Sequence, residues 1–315
     1  MRCQKLLKTF MCLCMLASFT GCFNKKEKQS EEESKSYTIE DLLLPSADGF
    51  LTKEDDKVLV DYSNTSQGYI MAKAKTENHK RIKVMLVKDD EKYTYDLNKE
   101  NEYEVYPLNM GDGEYTIKVY ENMHDDEYAL LFSFETDVEL ENELLPSLYP
   151  NQVVDYDENT LCIQKSFDIV KNDKTNKERV KDIYNWVIKN IKYDWDKLNE
   201  IKKEYTLPNL DDIFKNKKAI CFDYAAIVTA MLRAQHIPTK LLTGTIDDGY
   251  HAWIEVYDED DGWVKIDDGC SSGEWKTMDP TYDALNEKYE GEYKIVYSYG
   301  IRELNIRKNV NLVVV

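Results

Sequence analysis

No uninterrupted apolar run in the 315-residue sequence reaches the roughly 18–20 residues that span a bilayer, and mean hydropathy is −0.61. A polytopic membrane protein is therefore excluded. Positive charge is also short, with 41 Lys and Arg against 60 Asp and Glu and a net charge of −19. Phosphate backbones repel such a chain, so no nucleic-acid partner is expected. Cysteine is scarce beyond residue 22, where only Cys162, Cys221 and Cys270 remain, too few and too scattered for a disulfide framework. Histidine is limited to His79, His124, His236 and His251, with no CxxC or HxxxH spacing. Neither a metal site nor a cofactor is expected. Packing material is plentiful, however. Hydrophobic residues make up 42% and aromatics 12%, with 23 Tyr, which excludes a disordered chain and allows two domains.

The amino terminus reads as an address. Arg2, Lys5 and Lys8 precede the apolar stretch Phe10 to Phe19, the length of a secretory signal rather than of a membrane span. Thr20-Gly21-Cys22 follows and resembles the lipobox of bacterial lipoproteins, with Phe19 where Leu is usual. The resemblance implies that residues 1–21 are a signal peptide and that Cys22 is lipidated. The body would then lie on the extracytoplasmic face of a bacterial cell membrane. Phe23 to Ser36 is almost wholly polar or charged, a coil reaching roughly 20 Å, and residues 22–45 are expected to be a lipidated Cys and disordered tether.

From residue 46 to 150 short runs with period-2 alternation recur: 57–62, 69–75, 81–88, 93–97, 103–106, 115–120 and 130–136. This spacing predicts an all-β domain shaped as an immunoglobulin-like sandwich. Gly111-Asp112-Gly113 is expected to form a tight hairpin turn. No clustered acids, His or Cys mark this half as chemical. Leu144 to Pro150, with two prolines, reads as an inter-domain connection.

Residues 151–315 change period. Val180, Ile183, Tyr184, Val187, Ile188 and Ile191 form the stripe of an amphipathic helix. A short helix near 210–215, a stronger one from Cys221 and strands from Lys240 onward complete an α+β domain. Asp258-Glu259-Asp260-Asp261-Gly262 reads as a solvated hairpin turn rather than a calcium loop. Cys162 and Cys270 remain open between a disulfide and two thiols.

Chemistry concentrates in three segments. Cys221 stands at a helix start, where the macrodipole favours a thiolate. His251 lies on the strand YHAWIEVY, on a rigid element where a base could serve that thiol. The base needs an acceptor on its far nitrogen, expected from a neighbouring strand. Asp267, ending GWVKID, and Asp279, ending EWKTMD, are the candidates.

Together KAICFDYAAIVTAMLRAQHIPTKLLTG, YHAWIEVY and WKTMDPTYD resemble the transglutaminase-like superfamily, as does the earlier Asn190-Ile191-Lys192-Tyr193-Asp194. Two departures are Ala219, where that family usually has Gly, and the insertion around Asp267-Asp268-Gly269-Cys270. The resemblance implies a papain-like core fold with Cys221 as nucleophile, His251 as general base and acid, and Asp279 as its orienter. Asp-Pro-Thr is the family's usual context for that last residue, and Asp267 is the alternative third member. The implied activity is acyl transfer on the amide bond of a peptide or protein, cell-wall peptide included, by hydrolysis, deamidation or transamidation. The rival is a catalytically silent surface lipoprotein whose groove holds a peptide or glycan.

Overall fold

The computed structural model describes residues 34–75, 81–201, 206–247, 249–259, 262–264, 279–287, 289 and 291–300. The signal segment and Cys22 lie outside them. Among the described residues no helix is long and apolar enough to cross a membrane.

The first half is built from β1 (Thr52–Glu54), β2 (Val58–Asp61), β3 (Tyr69–Ala74), β4 (Ile82–Lys88), β5 (Glu91–Leu97), β6 (Glu104–Pro107), β7 (Gly113–His124) and β8 (Glu127–Val138). They form two four-stranded antiparallel sheets, β1-β2-β3-β6 and β5-β4-β7-β8. Alternation dictates the register. Val84 and Leu86 of β4 lie opposite Val119 and Ile117 of β7, and these residues meet Val58, Val60, Ile70 and Ala72 of the other sheet in one core. Each such buried aliphatic side chain contributes roughly 2 kcal/mol. The turn expected at 111–113 is not a hairpin, because β6 pairs with β3 while β7 pairs with β4 and β8. This segment carries the chain between sheets, with positive φ at Gly111 (73°) and Gly113 (128°).

The second half contains α1 (Leu161–Val170), α2 (Asn176–Asn190), β9 (Lys192–Tyr193), α3 (Trp195–Ile201), α4 (Leu210–Asn216), β10 (Lys218–Ala219), α5 (Cys221–Arg233), β11 (Thr239–Ile246), β12 (Gly249–Asp258), β13 (Gly262–Val264), α6 (Pro280–Leu285) and β14 (Lys294–Ser298). The architecture is mixed α+β. A four-stranded antiparallel sheet, β13-β12-β11-β14, packs against α5, which is buried from Phe222 to Arg233. Ala225, Ala226 and Ala230 allow that close approach. Helix α2 starts with a capping box in which Glu178 N donates to Thr175 Oγ1 and Thr175 N to the Glu178 carboxylate, each at 3.2 Å. The helices do not all precede the strands, since α6 follows β13.

Polar bonds tie the halves together. Asn109 Nδ2 of the first donates to Ser298 O at 2.5 Å, and Ser298 N donates to Tyr93 Oη at 3.3 Å. The buried guanidinium of Arg233 donates to the carbonyls of Tyr149 (2.6 Å), Tyr299 (2.6 Å) and Thr239 (2.8 and 3.0 Å). The 144–150 connection is thus packed, with Pro146 and Ser147 buried in a 3₁₀ turn.

The disordered tether expected over 22–45 is corrected from residue 34 onward, because 34–42 lie on the helices. Ser34 N donates to Lys174 O at 2.7 Å, and Tyr37 stacks on His236 with centroids 3.8 Å apart. His236 Nε2 bonds Asp41 O at 2.7 Å. Ile39 and Leu42 supply the apolar contact that the charged run before them lacks.

Candidate active site

Position Cys221 is set by β9 and β10, a short parallel pair in which Lys192 aligns with Lys218 and Tyr193 with Ala219. Asp194 N donates to Ala219 O at 2.8 Å. The Tyr193-Asp194 segment therefore flanks the entry to α5, and Ala219 is fully buried in the bridge rather than forming a glycine turn. Asp223, in the first turn of α5, accepts from Ile220 N at 3.1 Å. Both its carboxylate oxygens take the ammonium of Lys197, at 2.8 and 2.7 Å. Burial raises the Asp223 pKa against the opposing pull of Lys197, so the lysine is what offsets a buried acid two residues from the thiol. Cys221 itself is half-buried and free.

His251 comes from β12, paired with Gly244 of β11. Ala252, Ile254 and Val256 join the core shared with α5, so the opposite alternation carries His251 and Trp253. Trp253 is fully buried behind the imidazole, its ring 14° from parallel at 6.5 Å.

The structure brings Asp279 to His251. Nε2 donates to Asp279 Oδ2 at 2.5 Å, with the two residues only 7% and 4% exposed. Cys221 lies near enough to the imidazole to act on it as well. Burial disfavours the imidazolium. Hydrogen bonds with Asp279 and Cys221, then their charges, outweigh it and raise the His251 pKa to about 9. Asp279 N-caps α6, and the strand that its sequence context suggested before it falls on 275–278, outside the described residues. Its Oδ1 accepts from Thr281 N (3.0 Å) and Tyr282 N (3.3 Å), and Pro280 occupies the first helical position. Asp-Pro-Thr is an N-cap signature in its own right. Tyr184 of α2 braces this short helix by donating to Asp283. The alternative acid Asp267 and also Cys270 lie outside the described residues.

Three neighbours escaped sequence reasoning. Tyr293 donates its hydroxyl to Asp279 Oδ2 at 3.0 Å, but nothing in its local sequence links it to a residue 14 positions away. Lys197 and Asp223 were equally invisible, since their pairing depends on the fold of α3 against α5. Tyr193, from the segment 190–194 that shares in the family resemblance, also lies here. It is half-buried beside Cys221, T-shaped against Trp195 at 4.6 Å, and burial together with the charges at Cys221, Asp223 and Asp279 raises its pKa to about 12. No cluster of His, Cys, Asp and Glu suited to a metal occurs among the described residues. Cavities of about 390 and 440 Å³ open elsewhere, lined in one case by Glu104, Gln152 and Asp211 and in the other by Tyr37 and Arg179.

Residues 163–268, which include Cys221 and His251 but not Asp279, match the family model described as Transglutaminase-like superfamily. This stretch is a transglutaminase-like domain. Over 121 residues the chain is 30% identical to UPF0252 protein MJ1282 of Methanocaldococcus jannaschii, covering 32% of this chain and 34% of the relative. Among solved structures, a Cytophaga hutchinsonii chain provisionally named a cysteine protease gives a TM-score of 0.34 at 14% identity, over 60% of this chain and 66% of that one. Red sea bream transglutaminase gives 0.28 at 15%, over 72% and 56%. The chain spans about a third of the curated relative and under two thirds of either solved chain. In this transglutaminase-like domain the matched stretch supplies the thiol and the imidazole, and the segment just beyond it supplies the carboxylate.

Proposed function

We propose that the chain is a cysteine enzyme that transfers acyl groups from amide bonds, with Cys221, His251 and Asp279 as its triad. The observation that carries this reading is the buried imidazole with Nε2 2.5 Å from Asp279 Oδ2, on a strand that shares its core with the helix begun by Cys221. The Cys221 thiolate attacks the amide carbonyl, forming a C–S bond as the π electrons move to oxygen. Backbone N–H groups of the first turn of α5 have no intrahelical acceptors and are suited to meet that oxyanion. Imidazolium gives its proton to the leaving nitrogen as the C–N bond breaks. Water or an amine then attacks the thioester, His251 takes the attacker's proton, and the C–S bond breaks to restore the thiolate. Hydrolysis is the default outcome because water is always present.

The substrate we propose is a peptide or protein amide, cell-wall peptide included, met at the extracytoplasmic face of a bacterial membrane by a body anchored through lipid on Cys22. The lipobox-like residues 20–22 support that location. Strand orders β1-β2-β3-β6 and β5-β4-β7-β8 around one core support reading residues 46–150 as an immunoglobulin-like sandwich carrying the catalytic half.

The test is the pH dependence of Cys221 alkylation, read on its tryptic peptide by mass spectrometry, with and without His251→Ala. An inflection well below the roughly 8.5 of a free thiol, abolished in the variant, is expected. An ordinary thiol in both proteins would leave the silent binding lipoprotein as the better account.

A further inference from the structure

We infer that Tyr293 is a positioning residue of this site, acting on His251 through Asp279; the inference rests on the acyl-transfer reading. Its hydroxyl donates to Asp279 Oδ2 at 3.0 Å, the same oxygen that takes His251 Nε2. Oδ1 meanwhile takes the amides of Thr281 and Tyr282. Each carboxylate oxygen thus has two donors. A terminal carboxylate torsion is broad and nearly free by itself, and the phenol closes the freedom that the cap amides and the moving imidazole leave open.

The contact is electronic as well as steric. A donor on Oδ2 stabilises the carboxylate and competes with the imidazole for the same lone pairs. Tyr293 therefore moderates the pull that Asp279 exerts on His251. Removing the hydroxyl should strengthen that pull while loosening its direction.

Placement of the phenol comes from rigid structure. The ring packs on Trp253 at 4.8 Å and stands edge-on to Tyr289 at 5.1 Å. The next residue begins β14, which aligns Lys294 with Thr245 and Ile295 with Gly244 of β11. At its far end, Ser298 is fastened to Asn109 and Tyr93 of the first half. The amino-terminal sheets thereby help hold the strand that carries the positioning group.

The experiment compares wild type, Tyr293→Phe and Tyr289→Phe as full chains. His251 is titrated by NMR of ¹⁵N-labelled histidine, its signal identified by its loss in His251→Ala, alongside the alkylation profile of Cys221. In Tyr293→Phe the His251 inflection should rise by about half a pH unit, and the plateau alkylation rate should fall about three- to tenfold. Tyr289→Phe removes a neighbouring hydroxyl whose contacts are Asp247 N and Glu292 O, so it should change neither. Unchanged inflection and rate in Tyr293→Phe, even with lowered stability, would overturn the inference, as would equal shifts in Tyr289→Phe. A Cys221 alkylation profile that is ordinary in wild type and unchanged in His251→Ala would instead bring down the acyl-transfer reading itself.

Discussion

Replacing Asp279 with Asn separates two roles that one carboxylate combines. An Asn side-chain oxygen can still accept from Thr281 N and Tyr282 N, and Asn caps helices as well as Asp does, so α6 should persist. What disappears is the negative charge 2.5 Å from His251 Nε2. The wild-type imidazole is raised from an ordinary 6.5 to about 9. A folded-state pKa above the unfolded one contributes stability that is fully present below pH 6.5 and is lost as pH rises through about 9. Each pH unit between those values is worth about 1.4 kcal/mol, so protonated His251 contributes about 3 kcal/mol at pH 6. Both groups are almost fully buried, which leaves little solvent screening. Urea denaturation of wild type and Asp279→Asn at pH 6 and pH 10 is the assay. Cys221 supplies part of the shift, so the gap should be about 2 kcal/mol at pH 6, a midpoint shift below 1 M for a typical denaturant slope, and much smaller at pH 10. A gap of equal size at both pH values would refute the reasoning, because it would make Asp279 a helix cap and not the counter-charge of the imidazole.

Other perturbations probe the supports. Lys197→Met should strand the Asp223 carboxylate two residues from the Cys221 thiol; with the lysine partly exposed, the expected loss is about 2 kcal/mol, and alkylation of Cys221 at neutral pH should slow. Gly244→Ala would place a Cβ 2.0 Å from Lys294 O. Separation of β14 from β11 should then cost about 3 kcal/mol, read by urea denaturation, together with a slowed Cys221 alkylation. Arg233→Met should orphan the carbonyls of Tyr149, Thr239 and Tyr299 and cost about 4 kcal/mol, with Arg233→Lys failing to restore it because one ammonium cannot span three acceptors.

The sequence made the helical half legible where one physical pattern had no competitor. The stripe from Val180 to Val187 is the buried face of α2, and the alanine-rich run after Cys221 is α5. Alternation likewise exposed most strands of the first half, since a one-residue slip would turn Ile82, Val84 and Leu86 outward. Partner choice was hidden, because alternation says that a strand is half-buried and not whom it pairs with. The segment at 111–113 was accordingly misread as a hairpin. The setting of Asp279 was missed for a different reason. Its context was weighed against strands, although Asp-Pro-Thr is a helix start in its own right. Tyr293, Lys197 and Asp223 owe their positions to contacts between distant segments, for which no local period exists.

Bonds from Asn109 and Tyr93 to Ser298 join residues 189 and 205 positions apart. Closing such loops costs chain entropy before any contact offsets it, and contacts of this separation form late in folding. β14, which pairs with β11 and is fastened to the first half through Ser298, is therefore the strand whose seating completes the surroundings of Asp279.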